Sequence, residues 1–328
     1  MFTFTKQKTP PIFFINEQPV YTTFQKDEQI RIRPFRDASK YLDSDDFRER
    51  YTLSKRESLE LKKAIQSNIA PDNKLKGKFY HIRTDLNNRL FTEIDLRGTD
   101  KEISWKYPND IHAWSESSIS IGSSGVGKSR REIDAIIEAL KRSRKRKFVY
   151  VSPEFHIDET LKKLRNSKRW SKYFEGIDIS DEGFKESERA TPDEWWTKDI
   201  EPILTQQKPG THIVLDDLRD SVLHKHLQRF LVKYLRTGRH RGVGVTSIQH
   251  SIRGGKYTSQ SFSSVKWVTL FPRGGGKGKQ VEFLYETVGV GRRKARELVD
   301  IFGEGGRWMT IHQWSPTIIF GRQYALFV

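Results

Sequence analysis

The residues best suited to chemistry lie in one short run, Gly122-Ser123-Ser124-Gly125-Val126-Gly127-Lys128-Ser129, spaced G-x-x-x-x-G-K-S. Glycines let a backbone curl tightly, so that its N–H groups converge on an anion. A helix that follows points its positive end at the same spot. A lysine placed like Lys128 reaches β- and γ-phosphates, and a hydroxyl placed like Ser129 ligates Mg²⁺. The run predicts a cradle for a nucleoside triphosphate and its Mg²⁺. A Gly/Ser turn that happens to hold Lys-Ser is the plain alternative.

A second constellation lies well downstream. His212-Ile213-Val214-Leu215-Asp216-Asp217 is an apolar strand ending in two acids. Such a strand completes a phosphate-cleaving site: Asp216 holds Mg²⁺ through water, and Asp217 polarises the attacking water as general base. Next, Thr237-Gly238-Arg239-His240-Arg241 reads as a basic turn leading into a strand that ends in Gln249. An amide at that strand end is placed to sense the γ-phosphate or orient water. Arg239 or Arg241, at a subunit edge, is placed to reach a neighbour's nucleotide as an arginine finger. Contact with DNA phosphates, or with solvent alone, is the alternative for both.

These residues need a scaffold. Ile119 and Ile121 form a strand end before the glycine run, and Ile133, Ile136, Ile137 and Leu140 after it mark one apolar helical face. Lys147–Ser152 and His212–Leu215 read as strands, as do Ile177–Ile179, Val243–Ile248, Val265–Phe271, Trp308–His312 and Thr317–Val328. Helices are predicted over Asp158–Arg165, Val222–Leu235 and Gly291–Phe302. Thr191-Pro192-Asp193-Glu194 is a helix start, with Pro202 and Pro209-Gly210 ending that region. The strand–helix alternation over residues 116–328 predicts an α/β layer fold. Residues 1–115 read as a separate, smaller mixed α/β domain without a chemical motif. There, Pro11–Ile15, Lys78–Ile82 and Leu90–Leu96 are expected as strands, Asp85–Arg89 as a turn and Ser54–Ser67 as a helix.

Composition narrows the partners. The chain of 328 residues has a formal net charge of +17, which points to a polyanion, nucleic acid before an anionic membrane. There are no cysteines, which excludes disulfides, thiolate zinc and cysteine nucleophiles. The nine histidines show no ligand spacing. No run matches a signal peptide or a membrane span, so neither secretion nor membrane insertion is expected. Basic segments suited to gripping a phosphate backbone are Lys141–Lys147, then Lys162, Lys163, Arg165, Lys168 and Arg169 beside Trp170 and Tyr173. Gly291-Arg292-Arg293-Lys294 at a helix start is a third. Arg273-Gly274-Gly275-Gly276-Lys277-Gly278-Lys279 reads as a flexible basic loop and the preferred pore element.

Taken together, Gly122–Ser129, Ile213-Val214-Leu215-Asp216-Asp217 and Gly238-Arg239-His240-Arg241 before a strand ending in Gln249 resemble the FtsK–HerA superfamily of P-loop ATPases. Within it the chain is most similar to the poxvirus-type genome-packaging ATPases of double-stranded DNA viruses. Trp267–Gly275 resembles that family's last core strand and following loop. The resemblance covers 116–328. It implies ATP with Mg²⁺, a RecA-like core with a central, mostly parallel sheet, and catalytic acids flanked by the P-loop and sensor strands. It also implies a homo-oligomeric ring of five or six subunits that threads double-stranded DNA into a preformed capsid. The partner would be a capsid or portal-vertex protein, and the place the host cytoplasm or nucleus at virion assembly. A cellular or conjugative DNA pump of the HerA or FtsK kind is the alternative. A filamentous-phage-type assembly ATPase is a further one, though such proteins usually carry a membrane span.

Overall fold

Continuous apolar burial marks the central strands in this computed structural model, which describes residues 2–3, 11–22, 48–49, 51–67, 70–72, 74–82, 93–107, 117–142, 146–252, 256–274, 276–314 and 317–328. Strands β1 (Phe2–Thr3), β2 (Phe13–Ile15) and β3 (Gln18–Thr22) precede helix α1 (Lys55–Ser67). After β4 (Glu93–Asp95) comes β5 (Ile103–Ser104), which completes a four-stranded antiparallel sheet in the order β1-β3-β2-β5.

From there the chain runs β6 (Ser117–Ile121), α2 (Lys128–Arg142), β7 (Lys147–Ser152), β8 (Phe174–Asp178) and β9 (Thr211–Asp216). It continues with α3 (His224–Arg241), β10 (Gly244–Gln249), α4 (Lys256–Ser264), β11 (Trp267–Leu270), α5 (Lys277–Glu286) and α6 (Arg292–Gly305). Strands β12 (Met309–His312), β13 (Ile318–Phe320) and β14 (Tyr324–Phe327) follow. The large sheet has ten strands in the order β4-β14-β13-β12-β11-β6-β10-β9-β7-β8. From β11 to β8 all neighbours are parallel, and from β11 back to β4 they are antiparallel. Parallel pairing needs crossovers, and α2, α3 and α4 belong to them.

Successive side chains of the central strands point to opposite faces of the sheet, with the strand period of two. On β7, Phe148 and Tyr150 join one apolar cluster with Ile133, Ile136 and Leu140 of α2, while Val149 and Val151 join the other. On β9, Val214 faces α2, and Ile213 and Leu215 face the side of Leu227 and Leu231 on α3. All six residues of β9 are buried, as expected of a parallel strand covered on both faces. Ile137, at the margin of the α2 stripe, is half-buried.

Residues before 116 meet the large sheet in several places, among them Tyr107, which is buried against α2, β7 and β9 with its hydroxyl 3.3 Å from His212 Nε2. Strand β4 pairs with β14, Ile94 opposite Ala325. Phe13, Ile15 and Ile103 of the small sheet pack with Trp267 and Phe320.

Several expectations are corrected. Residues 76–82, expected to contain a strand, are helical. Phe79 and Ile82 bury three apart against Leu61 and Ile65 of α1, and that packing overrides the β-rich composition. Thr237–Arg241 is not a turn but the last turns of α3, because Tyr234, Leu235 and Gly238 remain buried there. The helix stops at Gly242, whose φ of 66° is the left-handed C-terminal stop that glycine supplies. Pro202 does not end a helix; it lies inside a continuous helical run over 192–205, just after the wide π turn Trp196–Ile200. Lys277–Lys279 is not loop, since α5 begins at Lys277. Helices Asp181–Glu186, α4 and α5 were not anticipated, although Ser180 caps the first and Asp181 and Glu182 fill its first turn. The expected turn over 85–89 and residues 90–92 lie outside the described residues, as do 143–145 of the densest basic run and Gly275. Among the described residues, no helix is long and apolar enough to cross a membrane.

Candidate nucleotide site

The C-terminal ends of β6, β10 and β9 lie side by side at one edge of the sheet, and they position the glycine loop, the two acids and Gln249. The loop after β6 turns through Gly125 (φ 75°) and Gly127 (φ 95°), conformations that side chains disfavour. Gly122 is glycine for a different reason. A Cβ there would stand 2.8 Å from both Phe271 Cβ and Val126 Cγ2. Helix α2 starts at Lys128, so its unpaired N–H groups face the loop.

Strand β10 lies between β6 and β9. The expected placement of the acids beside the P-loop strand is therefore corrected: β9 is flanked by β10 and β7. The α2 crossover from β6 to β7 skips two places, and β10 and β9 fill them. The site still closes, because the side chains of the loop and of β9 reach across β10. Ser129 Oγ donates to Asp216 Oδ2 at 2.8 Å. Tyr150 Oη donates to the same oxygen at 2.5 Å from the far side, out of β7. Asp216 is 5% exposed, and burial pushes its carboxyl up to about 6 despite both hydrogen bonds.

Lys128 is 6% exposed, and burial draws its ammonium below the usual lysine range. Its Nζ donates to Ser123 O at 2.9 Å, within its own loop. Asp217 leaves the strand in the left-handed region, at φ 51°, and opens a short 3₁₀ turn. Its carboxylate ion-pairs with His250 Nε2. His250 Nδ1 lies 3.4 Å from Lys128 Nζ. Gln249 ends β10 opposite Ile121; its carbonyl accepts from Gly122 N at 3.2 Å, and its amide donates to Ser247 Oγ at 3.1 Å. A polar recess lined by Asp217, Arg219, Gln228, Gln249, His250 and Ser261 opens beside these groups.

The structure thus brings Lys128, Ser129, Asp216, Asp217 and Gln249 together. It does not bring Arg241 to them. That residue ends α3 just before β10 begins, at the opposite edge of the sheet, where Nη1 donates to Thr205 O at 3.3 Å and Tyr234 Oη at 3.0 Å. A role at this chain's own nucleotide is excluded by that position. Arg239 lies on the same helical turn, its side chain outside the described residues. Two site residues escaped the sequence reading. Tyr150 lies within the apolar run of β7, and His250 directly follows Gln249.

A divalent cation fits this donor set. Ser129 and Asp216 offer a hydroxyl and a carboxylate, the hard oxygens that Mg²⁺ takes alongside water and phosphate. Among the described residues no group of three or more His, Cys, Asp or Glu forms a metal cage.

Of the basic segments, Arg273 is not free for a moving loop. It donates to Gly303 O at 2.7 Å and Glu304 O at 3.0 Å, and Lys277 pairs with Asp300 at 2.8 Å. Arg169 lies over the Trp170 ring at 4.4 Å, and Trp170 is buried. Arg292 and Arg293 are exposed at the start of α6.

No protein-family model and no curated protein matches the chain. Solved structures do resemble it. The genome-packaging NTPase of Sulfolobus turreted icosahedral virus 2, in complex with AMP, is 13% identical over 60% of this chain and 92% of its own, with a TM-score of 0.39. The cytoplasmic domain of the Thermomonospora curvata Type VII secretion ATPase is 15% identical over 63% of this chain and 25% of its own, at 0.39. The pCW3 conjugation coupling protein TcpA, with ATPgS, is 14% identical over 70% of this chain and 64% of its own, at 0.40. By its own strand order, its glycine loop and the acids that meet it, the chain has the architecture of a P-loop ATPase with a RecA-like sheet, and its motifs resemble the FtsK–HerA superfamily.

Proposed function

We propose that the protein is an ATP-driven motor that moves double-stranded DNA, of the kind that packages a viral genome into a preformed capsid. One observation carries the reading: Ser129 of the glycine loop and Asp216 of β9 meet at 2.8 Å, beside Lys128 and a second acid, Asp217. The +17 charge supplies the polyanion preference. The structures that resemble the chain include a genome-packaging NTPase and a conjugation coupling protein.

In this reading the N–H groups of Gly122–Ser129 cradle the phosphates. Lys128 leaves Ser123 O and turns its ammonium onto the β- and γ-phosphates. Ser129 and, through water, Asp216 hold Mg²⁺, which offsets phosphate charge when bound. Asp217 accepts a proton from the attacking water, and Gln249 orients that water or senses the γ-phosphate. Arg239 or Arg241 serves a neighbouring subunit in a ring of five or six. Arg241 would have to leave Thr205 O and Tyr234 Oη to reach a neighbour's pocket. A translocase grips the phosphate backbone rather than base edges, so binding is steeply salt-dependent. The same pocket suits a conjugative or chromosome-pumping motor, and a capsid-vertex partner distinguishes the packaging role.

The test is ATP turnover with and without long duplex DNA, alongside the mass of the assembly. DNA-stimulated turnover by a ring is expected. DNA-independent turnover by a monomer contradicts the proposal.

A further inference from the structure

His250 stands where β10 leaves the sheet, and its ring touches both working ends of the pocket. Nε2 pairs with Asp217 Oδ1, and Nδ1 faces Lys128 Nζ at 3.4 Å. The two contacts together fix the ring's protonation. An ammonium has only donors, so the nitrogen that faces it must offer a lone pair. Nδ1 is therefore the bare nitrogen, and the proton sits on Nε2, which donates to the carboxylate. This tautomer follows from the partners on either side of the ring.

Asp217 needs such a partner. Its backbone is left-handed at φ 51°, an arrangement that persists only where the surroundings hold it. Its carboxylate makes no capping bond to the 3₁₀ turn that it opens. The carboxylate is three-quarters buried, and the imidazole is what gives it a direction. The lysine at the other end of the ring is also held by its own loop, at Ser123 O. A phosphate that draws Lys128 away thus removes the donor at Nδ1 and leaves the Nε2–H bond to Asp217 in place.

We propose that His250 is a positioning residue for phosphate cleavage: its ring links the water-polarising carboxylate of Asp217 to the phosphate lysine Lys128 in one hydrogen-bonded line. This rests on the pocket reading above. His250 itself neither takes a proton from water nor touches the nucleotide. It aims the group that does.

Two conservative variants separate the two ends of the ring. Glutamine sets its amide N–H₂ near the place of Nε2, so His250→Gln keeps the bond to Asp217 and gives up Lys128. Asparagine sets its oxygen near the place of Nδ1, so His250→Asn does the reverse. In steady-state ATP hydrolysis, His250→Ala is expected to lose about 30-fold in kcat with KM for ATP moving less than about threefold. His250→Gln recovers to within about fivefold of wild type, and His250→Asn stays near the alanine variant. Thermal melts of all variants are run alongside. Equal kcat in the three variants, or losses that merely track Tm, overturns the proposal. Wild type and Asp217→Asn belong in the same panel. An active wild type with an inert Asp217→Asn upholds the pocket reading whatever the His250 variants do. An active Asp217→Asn removes that reading and this proposal with it.

Discussion

Tyr150, from β7, donates its hydroxyl to Asp216 Oδ2 at 2.5 Å, the same oxygen that Ser129 reaches from the glycine loop. A strand three places away from the P-loop strand thus supports the acid that would hold the cation. The bond stabilises the ionised carboxyl against the burial that pushes it up to about 6. Tyr150→Phe removes it without opening space. A hydrogen bond to a charged group is worth about 1.5–3 kcal/mol, so Mg²⁺-dependent binding of an ATP analogue should weaken about tenfold. Titration calorimetry checks this, and unchanged affinity would mean the hydroxyl is incidental.

Asp216 also sets function against stability. Its folded carboxyl titrates at about 6 against an ordinary 3.8, so the folded state holds its proton more tightly than the unfolded chain. Stability therefore falls as pH rises from about 4 to about 6, and the whole cost is present above that. The cost is of order 3 kcal/mol. Asp216→Asn should raise Tm at pH 8, leave it nearly unchanged at pH 4, and abolish turnover. Melting curves at the two pH values, without nucleotide, decide it. A lowered Tm at pH 8 contradicts the account.

His212 works in the opposite sense. It is 1% exposed, with Nε2 2.8 Å from Thr246 Oγ1 and 3.3 Å from Tyr107 Oη. Burial first, and the Arg146 guanidinium second, hold it down to about 3. The unfolded imidazole protonates below about 6.5 while the folded one stays neutral. Its contribution is complete above pH 6.5 and drains away as pH falls toward 3, by up to about 5 kcal/mol. Denaturant midpoints between pH 7 and pH 4 should fall steeply in the wild type and less in His212→Gln. Parallel slopes would assign the acid sensitivity elsewhere.

Arg241 is engaged with Thr205 and Tyr234, so Arg241→Ala should cost about 1 kcal/mol of stability. If the finger is Arg239, Arg239→Ala loses turnover, and mixing it with Asp217→Asn subunits restores part of it. No recovery in any mixture counts against a shared site.

The sequence revealed the site better than its surroundings. Gly122–Ser129 and the acids after Leu215 were legible because phosphate binding demands those residue types at that spacing. Strands such as Lys147–Ser152 were legible from continuous apolar runs. Tyr150 and His250 were hidden, because their roles come from a strand order that brings β7, β9 and β10 together at one edge. The helical state of residues 76–82 was hidden too, since only packing on α1 decides it. The helical placing of Arg239 and Arg241 depends on Tyr234 and Leu235 staying in the core for one more turn.

The central claim, that this pocket drives movement along DNA, is tested most directly by displacement of a triplex-forming oligonucleotide from linear duplex. The wild type is expected to displace it with ATP, to fail with a non-hydrolysable analogue, and to fail as Asp217→Asn. Brisk hydrolysis of ATP on that duplex with the oligonucleotide left in place would contradict it.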